Sequence, residues 1–278
     1  MRQFVAEVEP DESGCIVVGG KKSRYLSAVL RVEPGDMLYV RLPSGALQQM
    51  TVARITPGGR QVVLTVAGAD VSAEAVPSPA KALPAAEQPS CSLWLFQFAA
   101  KPPKMDLIIR QAVECGVRAV VPVAGAFCQA GNVESARRKS GPDDGRWERI
   151  ITEAREQSGS PVDTEVFPCM TLEEACALWK ERAGAASPAV VLYEQVRGTV
   201  PLHAAVAESL ASGPVESAAL MVGAEGGISP EELDFAQKHG FVPVHFETNI
   251  LRCETAALYG IAALQNAVVE KKVWQFKK

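Results

Sequence analysis

No two of the seven cysteines, at 15, 91, 115, 128, 169, 176 and 253, stand at C-x-x-C spacing. An odd and scattered set argues against both a disulfide frame and a zinc site, so no metal is expected and the compartment should be reducing. Long apolar runs are also lacking, and no charged-then-apolar leader opens the sequence. Membrane crossing and secretion are therefore not expected, and the chain is placed in the cytoplasm. Nor is positive charge in excess: 28 Lys and Arg against 32 Asp and Glu leave a net charge of -4. A nucleic-acid partner would have to meet a local basic surface. The familiar phosphate loops are missing as well. The glycines of MVGAEGGISPEEL (221–233) do not make G-x-G-x-x-G, and VVGGKKS (17–23) misses G-x-x-x-x-G-K by one position. A nicotinamide cofactor is thus unsupported.

What is present organises into two parts, and 278 residues suffice for two modest domains. Pro77, Pro79, Pro84 and Pro89 mark residues 76–90 as an extended Pro/Ala-rich linker. Before it, CIVV, MLYVRL, MTVARI and VVLTV alternate with PGD, PSG and PGG turns around one helical insert, KSRYLSAVLRV. That pattern predicts a small β-barrel over residues 1–75. After it, strand-like and helix-like segments alternate over 91–278, which predicts an α/β domain with a parallel sheet. GAFCQAGNVESARRKSG (125–141) reads as a loop. Ligands of such sheets bind at the carboxyl ends of the strands, here the loops after Phe98, Tyr193, Val222 and Phe246.

Two of those loops are chemically dense. In the first, Gly223, Gly226 and Gly227 surround Glu225, and the residues alone leave open a forced turn or a backbone-lined ligand cradle. Ser229, Pro230 and Glu232 predict a capping box that starts a helix at once, and two acids in its first turn oppose a phosphate there. The second, HFETNILRCETAALYG (245–260), places Glu247, Asn249, Arg252 and Glu254 before an apolar helix; a solvated connection and a site are both open readings. His203 falls in a helix, His239 beside a helix-ending glycine and His245 at a strand end near the loops, and a structural role is expected for all three. Lys21, Lys22, Arg24 and Arg31 crowd one helical segment beside Tyr25, either as a solvated face or as a phosphate-binding patch.

Taken together, four segments give the sequence a resemblance to the bacterial 16S rRNA uridine N3-methyltransferases of the SPOUT superfamily. KPPKMDLIIRQAVECGV resembles that family's lysine and Met-Asp/Glu helix with an E-x-G-V ending, and RWERIITEAREQSG its R-W-x-x-I…E-A-x-E-Q-S-G helix. VGAEGGIS is similar to its G-P-E-G-G-F-S loop, and ILRCETA to its I-L-R-T-E-T-A turn. RYLSAVLRVEPGD resembles its PUA-like RNA-binding domain, with Arg31, Gly35 and Asp36 at matching places. Departures are Ala224 for Pro, Glu247 and Asn249 for Gly and Arg, Cys253 for Thr, and Ser160 for Arg; they remove positive charge from the expected RNA face.

The resemblance implies a SPOUT-type parallel sheet with a deep trefoil knot at the C-terminus, plus a PUA-like β-barrel. It implies S-adenosylmethionine as cofactor, 16S rRNA or the small ribosomal subunit as partner, and a homodimer, for which the apolar AALYGIAALQNAVV helix offers an outer face. The cofactor residues it implies are Tyr193, Val222, Gly223, Glu225, Gly226, Gly227 and Ile228, then Phe246, Ile250, Leu251, Arg252, Thr255 and Ala256. Glu225 either fixes its loop through backbone amides or lies near the sulfonium; the first is favoured because a carboxylate satisfies free amides directly. A branched side chain at Gly226 is expected to intrude and to forbid a positive φ. Methylation of uridine N3 needs the imide proton removed. Arg252 and Glu254 are the implied catalytic residues, with Arg252 stabilising the imide anion and solvent taking the proton. The implied RNA contacts are Lys21, Lys22, Arg24 and Arg31. Two alternatives stand: a non-catalytic RNA-binding or assembly factor, and a methyltransferase with another RNA target.

Overall fold

The structure, a computed structural model, describes residues 3–66, 89–184 and 186–269. Most of the predicted linker at 76–90 lies outside the described residues. The chain divides into two compact units, Met1–Glu87 with Arg155–Pro161, and Gln88–Ala154 with Val162–Lys278.

The first unit is a curled five-stranded sheet built from β1 (Phe4–Val5), β2 (Cys15–Gly19), β3 (Met37–Arg41), β4 (Leu47–Ile55) and β5 (Gln61–Val66). Their order is β1-β3-β4-β5-β2, antiparallel except for the β1 to β3 pairing. Strand alternation sends Ile16 and Val18 inward and leaves Val17 in solvent. The helical insert is α1 (Gly20–Arg24), which continues as a π-helical turn over Tyr25–Val29 and is anchored by fully buried Leu26. At the end of β3, Arg41 is buried to 1% exposure. Its Nε donates to Gln3 Oε1 at 3.1 Å and its Nη1 to the Gly45 carbonyl at 2.8 Å. Burial lowers its pKa, yet a guanidinium stays charged, so these acceptors are obligatory. Gln3 in turn gives its amide N–H to the Glu156 carbonyl and its side-chain Nε2 to the Arg155 carbonyl, both at 2.9 Å. Residues 155–161 are thereby part of this unit.

The second unit alternates as predicted. Its elements are β6 (Ser92–Phe98), α2 (Pro102–Glu114), β7 (Ala119–Ala124), α3 (Ala130–Lys139), α4 (Arg146–Ser158, whose residues from Arg155 on belong to the first unit), β8 (Glu165–Val166) and β9 (Met170–Thr171). There follow α5 (Leu172–Arg182), β10 (Ala189–Leu192), α6 (Leu202–Ser212), β11 (Ser217–Val222), α7 (Pro230–Lys238), β12 (Phe241–Val244) and α8 (Cys253–Val268). The sheet order is β12-β10-β11-β6-β7-β8, with β9 also on β7, and every pairing is parallel. Both sheet faces are covered, so β6 reads as a continuous apolar run: Leu93 and Leu95 enter one core with Ile108 and Ile261, while Trp94 and Phe96 enter the other with Trp179 and Phe241. Phe96 meets Phe241 edge to face at 5.7 Å.

One segment differs from expectation. Residues 130–139, read as a loop, form α3. The side chains α3 buries are Asn132 and Ala136, four residues apart, so its inner face is small and polar and carries no apolar period for the eye to find.

The motif helices α2 and α4 meet at a buried carboxylate. Asp106 accepts from Lys139 Nζ at 3.0 Å, from Arg146 Nε at 2.8 Å and Nη2 at 2.6 Å, and from Trp147 Nε1 at 3.0 Å. Burial alone would raise its pKa, but hydrogen bonds from Arg146, Lys139 and Trp147 outweigh it and hold the carboxyl below the usual 3.8. Among the described residues no helix is long and apolar enough to cross a membrane, and no group of His, Cys, Asp and Glu could hold a metal ion.

Candidate active site

The strands β10, β11 and β12 end side by side, and a pocket opens over their carboxyl ends. β11 is buried throughout and delivers Val222 to the pocket wall. Beyond it, a Cβ on Gly223 would lie 2.8 Å from the Gly227 carbonyl carbon, so only glycine allows the loop to fold onto itself. The Gly227 N–H closes the turn on the Ala224 carbonyl at 3.1 Å. Gly227 carries the positive φ, +77°, whereas Gly226 does not; a Cβ on Gly226 would instead meet the Phe127 Cβ at 2.8 Å. The expected conformational demand therefore sits one residue later, and Gly226 is required by a neighbouring side chain. The capping box forms as predicted: Glu232 N donates to Ser229 Oγ at 3.2 Å, and Ser229 N to Glu232 Oε2 at 2.9 Å. Buried Gln97, at the end of β6, aims Nε2 at the Val222 and Gly223 carbonyls, 3.3 and 3.1 Å away, and ties the loop to the sheet.

The opposite wall is the chain between β12 and α8. Phe246, Asn249, Ile250 and Leu251 line it, then Cys253 and Ala256 from the first turn of α8. Strands β10 and β12 stop at Leu192 and Val244, slightly before the predicted Tyr193 and Phe246. His245 lines the pocket with Nδ1 3.2 Å from the Tyr193 carbonyl, a contact in which the ring must donate. His239 bonds the Phe235 carbonyl through Nδ1 at 2.8 Å and stacks on the Phe235 ring, a structural arrangement, and His203 lies exposed on α6.

Of the residues expected to bind a cofactor, Tyr193, Val222, Gly223, Gly227, Ile228, Phe246, Ile250, Leu251 and Ala256 share this one pocket. Glu225, Gly226, Arg252 and Thr255 do not line it. Arg252 is the N-cap of α8, exposed and without an ion-pair partner among the described residues. Its sequence neighbour Glu254 pairs elsewhere.

That partner is Lys104, which sequence reasoning missed. Its Nζ lies 2.9 Å from Glu254 Oε2, 3.5 Å from Glu225 Oε1 and 3.7 Å from Cys253 Sγ. Glu225 Oε1 also accepts from the Lys101 amide at 3.2 Å, so it does satisfy a backbone N–H, but on the N-cap of α2. The hydrogen bond to Glu254 raises the Lys104 pKa; for Glu254, burial pushes upward and is outweighed, mainly by the Lys104 hydrogen bond, so its pKa falls. Burial takes the Cys253 thiol up to about 11, so it stays protonated and donates to Glu254 Oε2 at 3.3 Å. A signal existed: two lysines at a helix N-terminus oppose the macrodipole, so carboxylates were owed to them.

Residues 86–265 match the model of the RNA methyltransferase domain family, well over half of the chain. The chain belongs to that family. Among relatives of this RNA methyltransferase domain, the ribosomal RNA small subunit methyltransferase E of Mycobacterium bovis is 26% identical over 265 residues, covering 94% of this chain and 90% of that one. The protein of the same name from Aquifex aeolicus is 28% identical over 162 residues, 58% of this chain and 62% of its own. The Neisseria gonorrhoeae ribosomal RNA small subunit methyltransferase E, solved bound to S-adenosyl methionine, superposes with a TM-score of 0.72 at 22% identity over 96% of this chain and 97% of its own. A Legionella pneumophila protein solved with the same cofactor gives 0.72 at 22% identity over 96% of each chain. At those identities the likeness establishes a shared fold.

Proposed function

We propose that this RNA methyltransferase domain uses S-adenosylmethionine to methylate N3 of a uridine in the 16S RNA of the small ribosomal subunit. The observation that carries the reading is that both motif loops, 223–228 and 245–256, wall one pocket at the carboxyl ends of adjacent parallel strands. The pocket suits the cofactor. Its lining is mainly apolar side chain and bare backbone, with Glu194, His245, Thr248 and Asn249 as polar groups, which suits an adenosyl group held partly by main chain. When bound, S-adenosylmethionine supplies an electrophilic methyl group. The chain's part is to hold and orient: the 222–228 backbone reads the adenine, Phe246, Ile250 and Leu251 exclude water, and Arg252 beside the pocket stabilises the imide anion as solvent takes the proton. Glu225, Gly226 and Thr255 act from just outside the lining. Glu254 contributes through Lys104 by holding the two walls together.

The same reading gives residues 1–75 as a PUA-like β-barrel, 76–90 as a linker and 91–278 as a methyltransferase domain in which α8 threads a deep trefoil knot. It places the protein in the cytoplasm as a homodimer through the outer face of α8, where Tyr259 is 45% exposed. Lys21, Arg24 and Arg31 are exposed and able to meet phosphates; Lys22 is already held by Glu7 at 3.2 Å and by the Val5 carbonyl at 2.9 Å, which makes it the weakest contributor. The test is transfer of labelled methyl from S-adenosylmethionine to small-subunit RNA lacking the modification, with the product nucleoside identified. N3-methyluridine is the expected product; methylation of another base would move the target, and no transfer despite cofactor binding would leave an RNA-binding factor.

A further inference from the structure

We propose that Glu194 is a specificity-determining residue that makes the pocket favour a sulfonium ligand over the corresponding neutral thioether, an inference that rests on the S-adenosylmethionine reading. Among the described residues that line the pocket, Glu194 alone carries a formal charge. Its carboxylate has no hydrogen-bond or ion-pair partner among the described residues. It faces a stretch of wall that has no side chain: a Cβ on Gly227 would sit 3.6 Å from Glu194 Oε2, and Gly227 has none. Bare backbone at Gly227 and an unpaired anion therefore stand side by side in the pocket wall.

Nearby cations do not cancel that anion. Lys104 is shared between Glu225 and Glu254, a group with one negative charge in excess, and it stands behind Cys253 rather than in the lining. Arg252 is exposed and outside the lining. Among the described lining residues there is thus one negative group, exposed Glu194, and no positive one. S-adenosylmethionine and S-adenosylhomocysteine share adenine, ribose and the amino-acid tail, and differ by one methyl group and one positive charge on sulfur. When the methyl group leaves, its bonding pair stays on sulfur, the ligand loses that charge, and the attraction to Glu194 ends. One carboxylate would then both draw in the charged cofactor and release the spent one.

The experiment compares Glu194→Gln with the unaltered full-length protein by calorimetry, using S-adenosylmethionine and S-adenosylhomocysteine, with ligand-free melting to check the fold. Glutamine keeps the shape and removes the charge. The expected result is a loss of S-adenosylmethionine affinity of roughly two- to fivefold, as for one solvent-exposed charge, with S-adenosylhomocysteine changed by less than about 1.5-fold. Equal losses for both ligands would put Glu194 on a group they share, the ribose or the ammonium, and overturn the proposal. Unchanged binding of both would overturn it too. If the unaltered protein binds neither ligand, the cofactor reading itself falls and takes this inference with it; if it binds both and Glu194→Gln preserves their ratio, only this inference falls.

Discussion

Lys104 and Asp106 stand two residues apart on α2, and each gathers a cluster of opposite charge, yet the two clusters are built for different ends. Asp106 accepts four hydrogen bonds from three side chains, and its own side chain is only 10% exposed. Every acceptor site is filled and water is excluded, which makes the cluster a fixed joint between α2, α3 and α4. Lys104 faces two carboxylates, retains 26% exposure, and bridges through Glu225 and Glu254 the two chain segments whose neighbouring residues wall the pocket. That group has acid to spare and solvent at hand. Saturation marks a structural cluster; imbalance beside a pocket marks one that can respond to a ligand.

Removing Asp106 should break the first member of this pair most severely. Asp106→Ala strands a buried lysine beside a half-exposed arginine and should cost about 3 kcal/mol in denaturant unfolding. S-adenosylmethionine affinity per folded molecule should stay the same; a binding loss larger than the unfolded fraction explains would erase the distinction. The acid limb of stability sharpens the point. Asp106 has a folded pKa below its ordinary 3.8, so its contribution is complete above that value and lost as pH falls through the depressed one. The isosteric Asp106→Asn should therefore flatten the fall of the unfolding free energy as pH drops below the ordinary carboxyl value of 3.8, measured by urea melts at each pH. Lys104 has the reverse sign: its folded pKa is raised above 10.5, so its contribution is present below that and fades as pH rises through the raised value.

Lys104→Met should be mild for the fold and visible at the pocket. The partly exposed ion pairs are worth about 1 kcal/mol of stability, and cofactor affinity should drop by about fivefold as the two walls loosen. Lys104→Arg should restore most of the affinity, because its fork still reaches both carboxylates; equal losses in Met and Arg variants would reduce Lys104 to a packing residue. The smallest effect belongs to Cys253→Thr, within about 0.5 kcal/mol in thermal melts, since a hydroxyl keeps a donor for Glu254.

The contrast also shows what was readable in advance. Alternation gave the parallel sheet because both faces of β6 are apolar, and the Ser229 cap was legible because its partner Glu232 is three residues away. The Lys104 cluster was not, because Glu225 and Glu254 lie 121 and 150 residues along the chain and ion pairs leave no period. The α3 helix escaped because the side chains it buries are Asn132 and Ala136. Gly223, Gly226 and Gly227 look interchangeable as letters, but only contacts with Gly227 and Phe127 and the φ at Gly227 separate their three requirements. Buried Arg41 gave no warning at all, since its acceptors are a glutamine far upstream and a loop carbonyl.

Gln3 and its two carbonyl partners carry a consequence for how the protein is made. Arg155 is synthesised 152 residues after Gln3, which at typical rates of translation is a wait of roughly 8 to 30 s. Throughout that interval β1 can pair with β3, but Gln3 lacks two of its acceptors, the Arg155 and Glu156 carbonyls. Much of the second unit's sequence emerges before the first can be closed. The first unit therefore begins to emerge before the second without being complete before it, and its completion is timed by the arrival of residues 155–161.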